Sequence, residues 1–308
     1  MTIEELNAVN ASGDMDEFIR VCEARQVKAL SRIADDICAD KRRRIVLLAG
    51  CSSAGKTTTA KRLCTQLRVN GFPAMHLSTD DYFVGDRRNP RDENGKLDYE
   101  HVECVDIPRL ASDLNALARG EAVSLRKFDF RAHEGYDDSR TTSVPHDGFI
   151  VIEGIHALNP RLTEGVDETL KFRLFIEPRS RLEIFCHTRM SSRETRLLRR
   201  IVRDSSFRGM TPAQTFEMWP KVIAGEEKWI LPFRGNADAE FDSSLDYELA
   251  VLRNYAEGVL RLLLKKSPDN AQAVGLVDLL SMIDPVSANS VPGDSILRET
   301  IGGSQLTY

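Results

Sequence analysis

The stretch GCSSAGKT, which runs from Gly50 to Thr57, decides the fold. It fits the pattern G-x-x-x-x-G-K-[ST], in which a glycine-rich loop holds phosphate groups. The apolar run Ile45–Ala49 before it is typical of a buried strand, and leucines 63 and 67 behind it recur at helical spacing. The loop therefore connects a strand to a helix N-terminus, where phosphate binding requires it to be.

The residues of this loop have the chemistry that a triphosphate needs. The unpaired N–H groups at a helix N-terminus attract phosphate, and glycine lets the backbone approach the oxygens closely. Lys56 adds a positive charge for the β- and γ-phosphates, and the hydroxyl of Thr57 is a ligand for Mg²⁺. We therefore predict that the chain binds ATP or another nucleoside triphosphate together with Mg²⁺. The expected contacts are Gly50, Ser52, Ser53, Ala54, Gly55, Lys56, Thr57 and Thr58.

Composition argues against several other classes of protein. The chain has 308 residues, of which 42% are hydrophobic and 29% charged, as is ordinary for a globular protein. A net charge of −5 argues against a general binder of nucleic acid or of anionic membranes. The first twenty residues contain no secretory signal, and no apolar run approaches the roughly 20 residues of a membrane span. We expect a cytoplasmic protein without a nucleic-acid or membrane partner.

The cysteines and histidines show no metal or disulfide pattern. Six cysteines are scattered without a C-x-x-C pair, at positions 22, 38, 51, 64, 104 and 186. Together with the lack of a secretory signal, this predicts reduced thiols. Cys51 lies inside the phosphate loop, where it either fits as a small residue or has a redox role. The histidines lack an H-x₃₋₅-H pattern, so we do not expect structural zinc.

Predicted strands alternate with predicted helices, which indicates a mostly parallel sheet. Besides Ile45–Ala49, strands are expected at 74–78, 149–152, 170–176 and 239–242. Helices are expected at 15–40, 58–68, 106–119, 180–190, 193–203 and 245–264. Residues 1–14 are expected to be irregular, and residues 122–146 to form a hairpin whose tip is His133–Gly135.

Two acids follow strands at the edge where open α/β sheets bind their ligands. Asp80 comes just after the second strand, where a carboxylate could take a proton from a substrate hydroxyl. Asp81 is the alternative if the register is shifted by one residue, and helix capping is the purely structural alternative. Glu153 ends a buried strand, a position from which an acid can support Mg²⁺.

Four arginines cluster on one side of a predicted helix, at positions 196, 199, 200 and 203. A guanidinium group pairs with phosphate oxygens in a bidentate manner, so this helix could close over ATP as a lid. A solvated basic helix would show the same pattern, and the arginines alone do not decide between the two.

Several ordered motifs together resemble the uridine kinase-like branch of P-loop kinases, which also includes phosphoribulokinases. The similarity is greatest to the kinase half of longer proteins in which a threonyl-tRNA-synthetase-like segment precedes a nucleoside kinase. The matching stretches are residues 48–58, 78–83, 90–95, 152–160, 195–204, 207–209, 226–228 and the C-terminal IGGS at 301–304. The synthetase-like segment is absent from this sequence, so we carry over no tRNA role.

The resemblance implies a P-loop NTPase three-layer αβα fold with a five-stranded parallel sheet, an arginine lid and a β-hairpin over the acceptor site. It implies transfer of the γ-phosphoryl group of ATP to the 5′-hydroxyl of a nucleoside in pyrimidine salvage, with uridine or cytidine as acceptor. We then expect an N-terminal helical extension (1–40), a kinase domain (41–267) and a C-terminal extension packed on it (268–308).

The resemblance also implies residue roles. Asp80 would be the base, with Lys56 and Arg199 as further catalytic residues. Thr57 and Glu153 would hold the metal, and Arg196 and Arg200 would bind ATP from the lid. The implied acceptor-binding residues are Asp80, Phe83, Glu100, Phe128, His133 and Arg199.

Departures from the family pattern leave the acceptor open. Phe83 and Phe128 stand where pyrimidine-phosphorylating relatives typically have tyrosine, and Glu100 stands where they have a ribose-binding aspartate. Losing a hydroxyl from a recognition surface can change selectivity. Two alternatives remain: a kinase for another small hydroxylated acceptor, phosphoribulokinase-like or pantothenate-like, and a nucleotide-binding regulatory module. ATP versus GTP as donor, feedback control and a homo-oligomeric state also stay open.

Overall fold

A five-stranded parallel sheet organises the structure, a computed structural model that describes residues 1–185 and 188–307. The strand order is β2-β5-β1-β6-β9, and every neighbouring pair is parallel. These strands are β1 (Ile45–Ala49), β2 (Ala74–Ser78), β5 (Phe149–Glu153), β6 (Lys171–Glu177) and β9 (Ala239–Asp242). All five predicted strands are present, and the predicted sheet is confirmed.

Two further pairs of strands lie outside this sheet. A hairpin is formed by β3 (Val123–Asp129) and β4 (Glu134–Thr142), as predicted. A short antiparallel pair is formed by β7 (Glu183–Phe185) and β8 (Thr188–Arg189).

Helices cover both faces of the sheet. Their bounds are α1 Ile3–Ser12, α2 Met15–Ala39, α3 Lys56–Val69, α4 Ile107–Ala118, α5 Ser192–Phe207, α6 Pro212–Trp229, α7 Glu248–Lys266, α8 Ala271–Ser281 and α9 Arg298–Ile301. Alternate residues of β1 point to opposite faces, so Leu48 packs in the cluster with α2 and α3, whereas Leu47 packs in the cluster with α4. These two clusters form the interior of the predicted three-layer fold, which is confirmed.

The parallel register brings the carboxyl ends of the strands that form the site to one edge of the sheet. Glu153 at the end of β5 pairs with Leu48 on one side and Ser78 on the other. The phosphate loop after β1 and the 3₁₀ turn Thr79–Tyr82 after β2 therefore flank the same strand end.

The first residues of the chain are not irregular, contrary to the prediction. A capping box between Thr2 and Glu5 begins α1, and its Ile3 and Leu6 are buried in a third hydrophobic cluster. This cluster also includes side chains of α2, α5, α6, α7 and α8, so both ends of the chain share it. With only two buried side chains, α1 has too weak a periodicity to be recognised in the sequence.

The helix predicted at residues 180–190 is also wrong where the structure describes it, because β7 and β8 lie there; residues 186 and 187 of that prediction lie outside the described residues. The pairing of this region is tertiary: Glu183 N donates to the Met1 carbonyl at 2.9 Å. Helices α6, α8 and α9 were not predicted. The last predicted helix begins at Glu248 rather than at Leu245.

The thiols of Cys22, Cys38, Cys51, Cys64 and Cys104 are free, in line with the reduced state that was expected, and Cys186 lies outside the described residues. Among the helices of the described part of the chain, none is long and apolar enough to span a lipid bilayer.

Candidate active site

The phosphate loop turns sharply between β1 and α3. Gly55 has φ +87°, a backbone conformation that favours glycine. A Cβ at this position would also lie only 2.5 Å from Cγ2 of Ile296, so the backbone conformation and the lack of space both disfavour a side chain. Ser53 has φ 61°, a left-handed conformation that is uncommon outside glycine. Because α3 begins at Lys56, the unpaired N–H groups of its first turn lie at the loop. The backbone is therefore arranged to bind an anion.

Oxygen donors suited to Mg²⁺ lie beside this loop. The hydroxyl of Thr57 donates to Oε1 of Glu153 at 3.0 Å, and Nζ of Lys56 donates to the Cys51 carbonyl at 3.3 Å. A hydroxyl and a carboxylate are hard ligands that fit the predicted metal. Residues 1–185 and 188–307 contain no group of three or more His, Cys, Asp or Glu side chains that could hold a metal by itself. Mg²⁺ at this position would therefore need phosphate oxygens and water as further ligands.

Asp80 and Glu153 line one cleft of about 1000 Å³, together with Thr57. Glu153 is buried, and desolvation raises its pKa, opposed first by the charge of Lys56. Solvent reaches Asp80 through the cleft, yet the surrounding protein displaces enough water that desolvation raises its pKa as well. Lys56 is again the main opposing charge. A raised pKa makes Asp80 a stronger base than an aspartate in bulk water.

Gly154 explains how the two acids come to share this edge. A Cβ at Gly154 would collide with the side chain of Thr79, so only glycine lets the turn that carries Asp80 lie against the end of β5. The next residue, Asp81, also lines the cleft, where its Oδ2 accepts from Nζ of Lys127 at 2.8 Å.

The hairpin forms an aromatic wall of the cleft. Phe128, Phe130 and Tyr136 come from it, and Phe130 and Tyr136 are more than half exposed. Phe83, from the segment after β2, packs edge-on against Phe128 with ring centroids 5.6 Å apart. Flat apolar surfaces of this kind suit a planar ligand.

Four of the residues expected at the acceptor do not line the cleft: Phe83, Glu100, His133 and Arg199. His133 lies at the hairpin tip, half exposed, with Nδ1 3.3 Å from Oδ1 of Asp86. Glu100 packs against Gly225 of α6, and burial raises its pKa to about 7, with Arg200 partly opposing this. Their roles in acceptor binding stay predictions.

The arginines of α5 are buried against the phosphate loop rather than solvated. Arg196 forms a buried bidentate pair with Glu226 and donates to the Ser52 carbonyl at 3.2 Å. Arg199 pairs in the same way with Glu248 and is only 2% exposed. Neither acid had been singled out for this role, although residues 226–228 were among the matching stretches.

Arg200 contacts a side chain of the loop. Its Nη1 donates to Oγ of Ser52 at 3.0 Å, and its Nε donates to Asp204 at 3.2 Å. Asp204 also pairs with Arg203 and Arg208, and those two arginines line the cleft. Three guanidinium groups around one buried carboxylate leave excess positive charge beside the loop.

Cys51 is buried, and desolvation raises the pKa of its thiol to about 12. A thiol that is protonated at neutral pH is a poor nucleophile and oxidises slowly. The environment therefore favours a packing role over a redox role.

The C-terminal segment was missed as part of the site. Glu299 accepts from the hydroxyl of Thr58 at 2.9 Å, and it lines the cleft together with Arg298, Gly302 and Gly303. Thr58 and Glu299 are 241 positions apart, and a single acid near the end of a chain carries no recognisable motif.

Comparison with known proteins assigns a family to this geometry. The model of the Phosphoribulokinase / Uridine kinase family matches residues 45–250, about two thirds of the chain. The uridine kinase of Deinococcus deserti is 27% identical over 179 residues, which are 58% of this chain and 77% of that protein. The uridine kinase of Halobacterium salinarum is 27% identical over 192 residues, 62% of this chain and 76% of that protein.

Similarity to solved structures is also found. One described as a possible uridine kinase from Bacillus stearothermophilus is 20% identical, covers 71% of this chain and 100% of that chain, and has a TM-score of 0.45.

Proposed function

The chain belongs to the phosphoribulokinase / uridine kinase family and is a phosphotransferase with an alcohol acceptor, and from that premise we propose that it is a nucleoside kinase. It would transfer the γ-phosphoryl group of ATP to a nucleoside 5′-hydroxyl, with uridine and cytidine as the acceptors to test first. We further propose that it acts in the cytoplasm, with the nucleoside as its small-molecule partner.

The phosphate loop and Lys56 would hold the donor. The N–H groups of the first turn of α3 would face the phosphates. The charge of Lys56 acts on both acids at the strand edge, where it opposes the rise in their pKa values. Thr57 and Glu153 would hold Mg²⁺, which supplies charge neutralisation for the β- and γ-phosphate oxygens when bound.

One observation supports the transfer step more than any other: Asp80 lines the same cleft as Thr57 and Glu153. In the proposed step, its carboxylate accepts the proton of the acceptor hydroxyl. The hydroxyl oxygen then bonds to the γ-phosphorus, and ADP leaves with the electron pair of the broken P–O bond. Desolvation of Asp80 strengthens it as the base for this proton.

The hairpin supports a nucleoside as the acceptor. Phe128 and Phe130 offer flat apolar surface on which a base could stack. Lys127 of the hairpin is paired with Asp81, which offsets its charge. The stacking surface, rather than the charge of the cleft, is what favours a nucleoside over a phosphorylated pentose.

The arginines of α5 would act as the proposed lid. Arg200 contacts Ser52 of the loop and Arg203 lines the cleft, so these two are the members to which we assign phosphate contacts first. Arg196 and Arg199 would need to leave Glu226 and Glu248 to reach a phosphate. We therefore propose that their main role is to hold the phosphate loop in place and that a role in phosphoryl transfer is secondary.

An acceptor panel tests the proposal. ADP release is measured with ATP or GTP as donor and with uridine, cytidine, adenosine, guanosine, ribulose 5-phosphate or pantothenate as acceptor, and the products are identified by phosphorus NMR. We expect a pyrimidine nucleoside to raise turnover well above water hydrolysis and to yield the 5′-monophosphate.

The same panel separates the alternatives. If only ribulose 5-phosphate or pantothenate raises turnover, the acceptor is another small hydroxylated compound and not a nucleoside. Nucleotide binding without acceptor-dependent turnover for any compound would indicate a regulatory module instead.

A further inference from the structure

Two successive threonines at the start of α3 are each held by a carboxylate. Thr57 Oγ1 donates to Glu153 Oε1 at 3.0 Å, and Thr58 Oγ1 donates to Glu299 Oε2 at 2.9 Å. Glu153 comes from the end of a sheet strand, whereas Glu299 comes from the far end of the chain. The second carboxylate has no part in the proposed transfer step, so its presence beside a phosphate site needs an explanation.

The segment that carries Glu299 is fixed in place. Ser295, Ile296 and Leu297 are almost fully buried, and Ile296 fills the space beside Gly55 of the phosphate loop. The guanidinium of Arg298 donates to the carbonyls of Ala288 and Val291 at 2.8 and 2.6 Å. Thr300 and Ile301, which follow Glu299, are buried as well, so this segment is a fixed wall of the site rather than a loose tail.

Glu299 lies between the two spaces that adjoin the loop. It lines the large cleft with Thr57 and Lys61, and it also lines a narrow crevice with Ser53 and Gly55. Its charge acts on the groups around it: it raises the pKa of Glu153 and opposes the lowered pKa values of Lys61 and Arg208.

A carboxylate in this position works against anion binding. The N-terminus of a helix carries about half a positive charge, which attracts phosphate, and a fixed negative charge at the same turn offsets it. Metal-free ATP carries more negative charge than magnesium-bound ATP, so the repulsion falls mainly on the metal-free form. When a divalent cation accompanies the phosphates, the same carboxylate faces a positive charge as well.

We propose that Glu299 is a specificity-determining residue of the donor site, which makes the site select the magnesium-bound nucleotide over the metal-free one. The proposal rests on the donor half of the proposed function, nucleotide binding at the phosphate loop, and does not depend on the acceptor. The experiment therefore measures binding, not turnover.

The test is calorimetric titration of the full chain with ATP, once with excess Mg²⁺ and once with EDTA. The readout is the dissociation constant without metal divided by that with Mg²⁺. Glu299→Gln keeps the size of the side chain and an acceptor for Thr58 but removes the charge, so we expect this ratio to fall roughly tenfold. Glu299→Asp keeps the charge and should keep most of the ratio.

Asp294→Asn is the matched control, because Asp294 belongs to the same segment but is exposed to solvent. It should leave the ratio at the parental value. An unchanged ratio in Glu299→Gln, or an equal fall in Asp294→Asn, overturns the proposal.

The parent chain provides a test that does not depend on any variant folding. A parent that binds metal-free and magnesium-bound ATP equally well overturns the selectivity directly. A parent that binds no nucleotide overturns this proposal together with the proposed donor site, whereas a failed acceptor panel with intact nucleotide binding affects only the proposed acceptor.

Discussion

Glu100 illustrates, at the scale of one residue, a carboxyl group that opposes folding when it ionises. Burial raises its pKa from 4.5 to about 7, Glu226 and Asp98 add repulsion, and Arg200 opposes them. Because the pKa is higher in the folded state, the folded protein holds this proton more tightly. Stability is therefore highest below pH 4.5 as far as this group is concerned, and is lost as the pH rises through about 7.

Glu100→Gln is expected to remove this pH-dependent loss. The free energy of unfolding should rise by about 1–3 kcal/mol at pH 8, with a gain that shrinks as the pH falls toward 4.5. Urea unfolding at several pH values measures this, with the exposed Glu93→Gln as a control that should change little. An equal gain at all pH values would show that desolvation of the carboxylate is not the cause.

At the scale of an element, helix α5 carries a buried and an exposed ion pair, and their contributions to the free energy of unfolding should differ sharply. The Arg199–Glu248 pair is buried, with exposed fractions of 2% and 4%, whereas Arg193–Glu227 is exposed at 46% and 57%. Removing one partner of a buried pair leaves the other charge without compensation, whereas an exposed pair is well solvated when broken.

Arg199→Ala is therefore expected to lower the free energy of unfolding by about 3–5 kcal/mol, and Arg193→Ala by about 0–1 kcal/mol. Chemical unfolding of both variants at neutral pH provides the comparison. Similar losses for the two would mean that Glu248 gains water or another partner once Arg199 is gone.

The hairpin of β3 and β4 should affect the acceptor and not the donor. Phe128 is mostly buried, packs against Phe83 and Phe130, and lines the cleft as part of the hairpin. Phe128→Ala should raise the KM for the acceptor roughly tenfold or more, because it removes apolar contact area, and leave the KM for MgATP nearly unchanged.

Steady-state kinetics with each substrate varied in turn separates these effects. Phe72→Ala, which disrupts the aromatic pair of Phe72 and Phe149 elsewhere, is the control for a general loss of packing. Equal changes in both KM values for Phe128→Ala would remove the hairpin from acceptor recognition.

At the scale of the whole molecule, the two ends of the chain belong to one core. The third hydrophobic cluster joins Leu6 of α1, Leu252 of α7, Leu280 of α8 and Leu297 near the C-terminus. The division into residues 1–40, 41–267 and 268–308 stays a prediction, and this shared core indicates that the middle part would not be stable alone.

A chain that ends at residue 267 is expected to lose cooperative unfolding and to bind the dye ANS. The described residues after 267 contribute ten buried apolar side chains to this cluster, and their loss would expose the side chains of α7 in the same cluster. A chain that ends at Leu306 is the control and should unfold like the parent. Cooperative unfolding of the shorter chain at the parental temperature would contradict this and support a self-sufficient domain.

How far the sequence could predict the site depended on the distance along the chain over which each contact forms. The strand, loop and helix around Lys56 are encoded locally, and the five strands have apolar runs that can be recognised. The positions of Asp80 and Glu153 followed from the rule that strand ends meet at one edge of a parallel sheet. Such rules need only the order of elements.

Contacts without a local signal could not be predicted in this way. Glu299 reaches Thr58 across 241 positions, and Glu248 reaches Arg199 across 49, and neither acid belongs to a matching stretch. A helix is predicted at residues 180–190, but Glu183 in this segment pairs through its backbone with Met1 instead. Contacts between residues far apart in the chain determine these features, and such contacts leave no local pattern in the sequence.

Phosphoryl transfer assisted by Asp80 is tested most directly by the kinetics of Asp80→Asn with the best acceptor of the panel. The asparagine keeps the shape of the side chain but cannot accept the proton, so kcat should fall roughly 10²–10⁴-fold. Affinity for MgATP, measured by calorimetry, should stay within about threefold of the parent. A variant with the parental kcat would contradict the assignment of Asp80 as the base in this cleft.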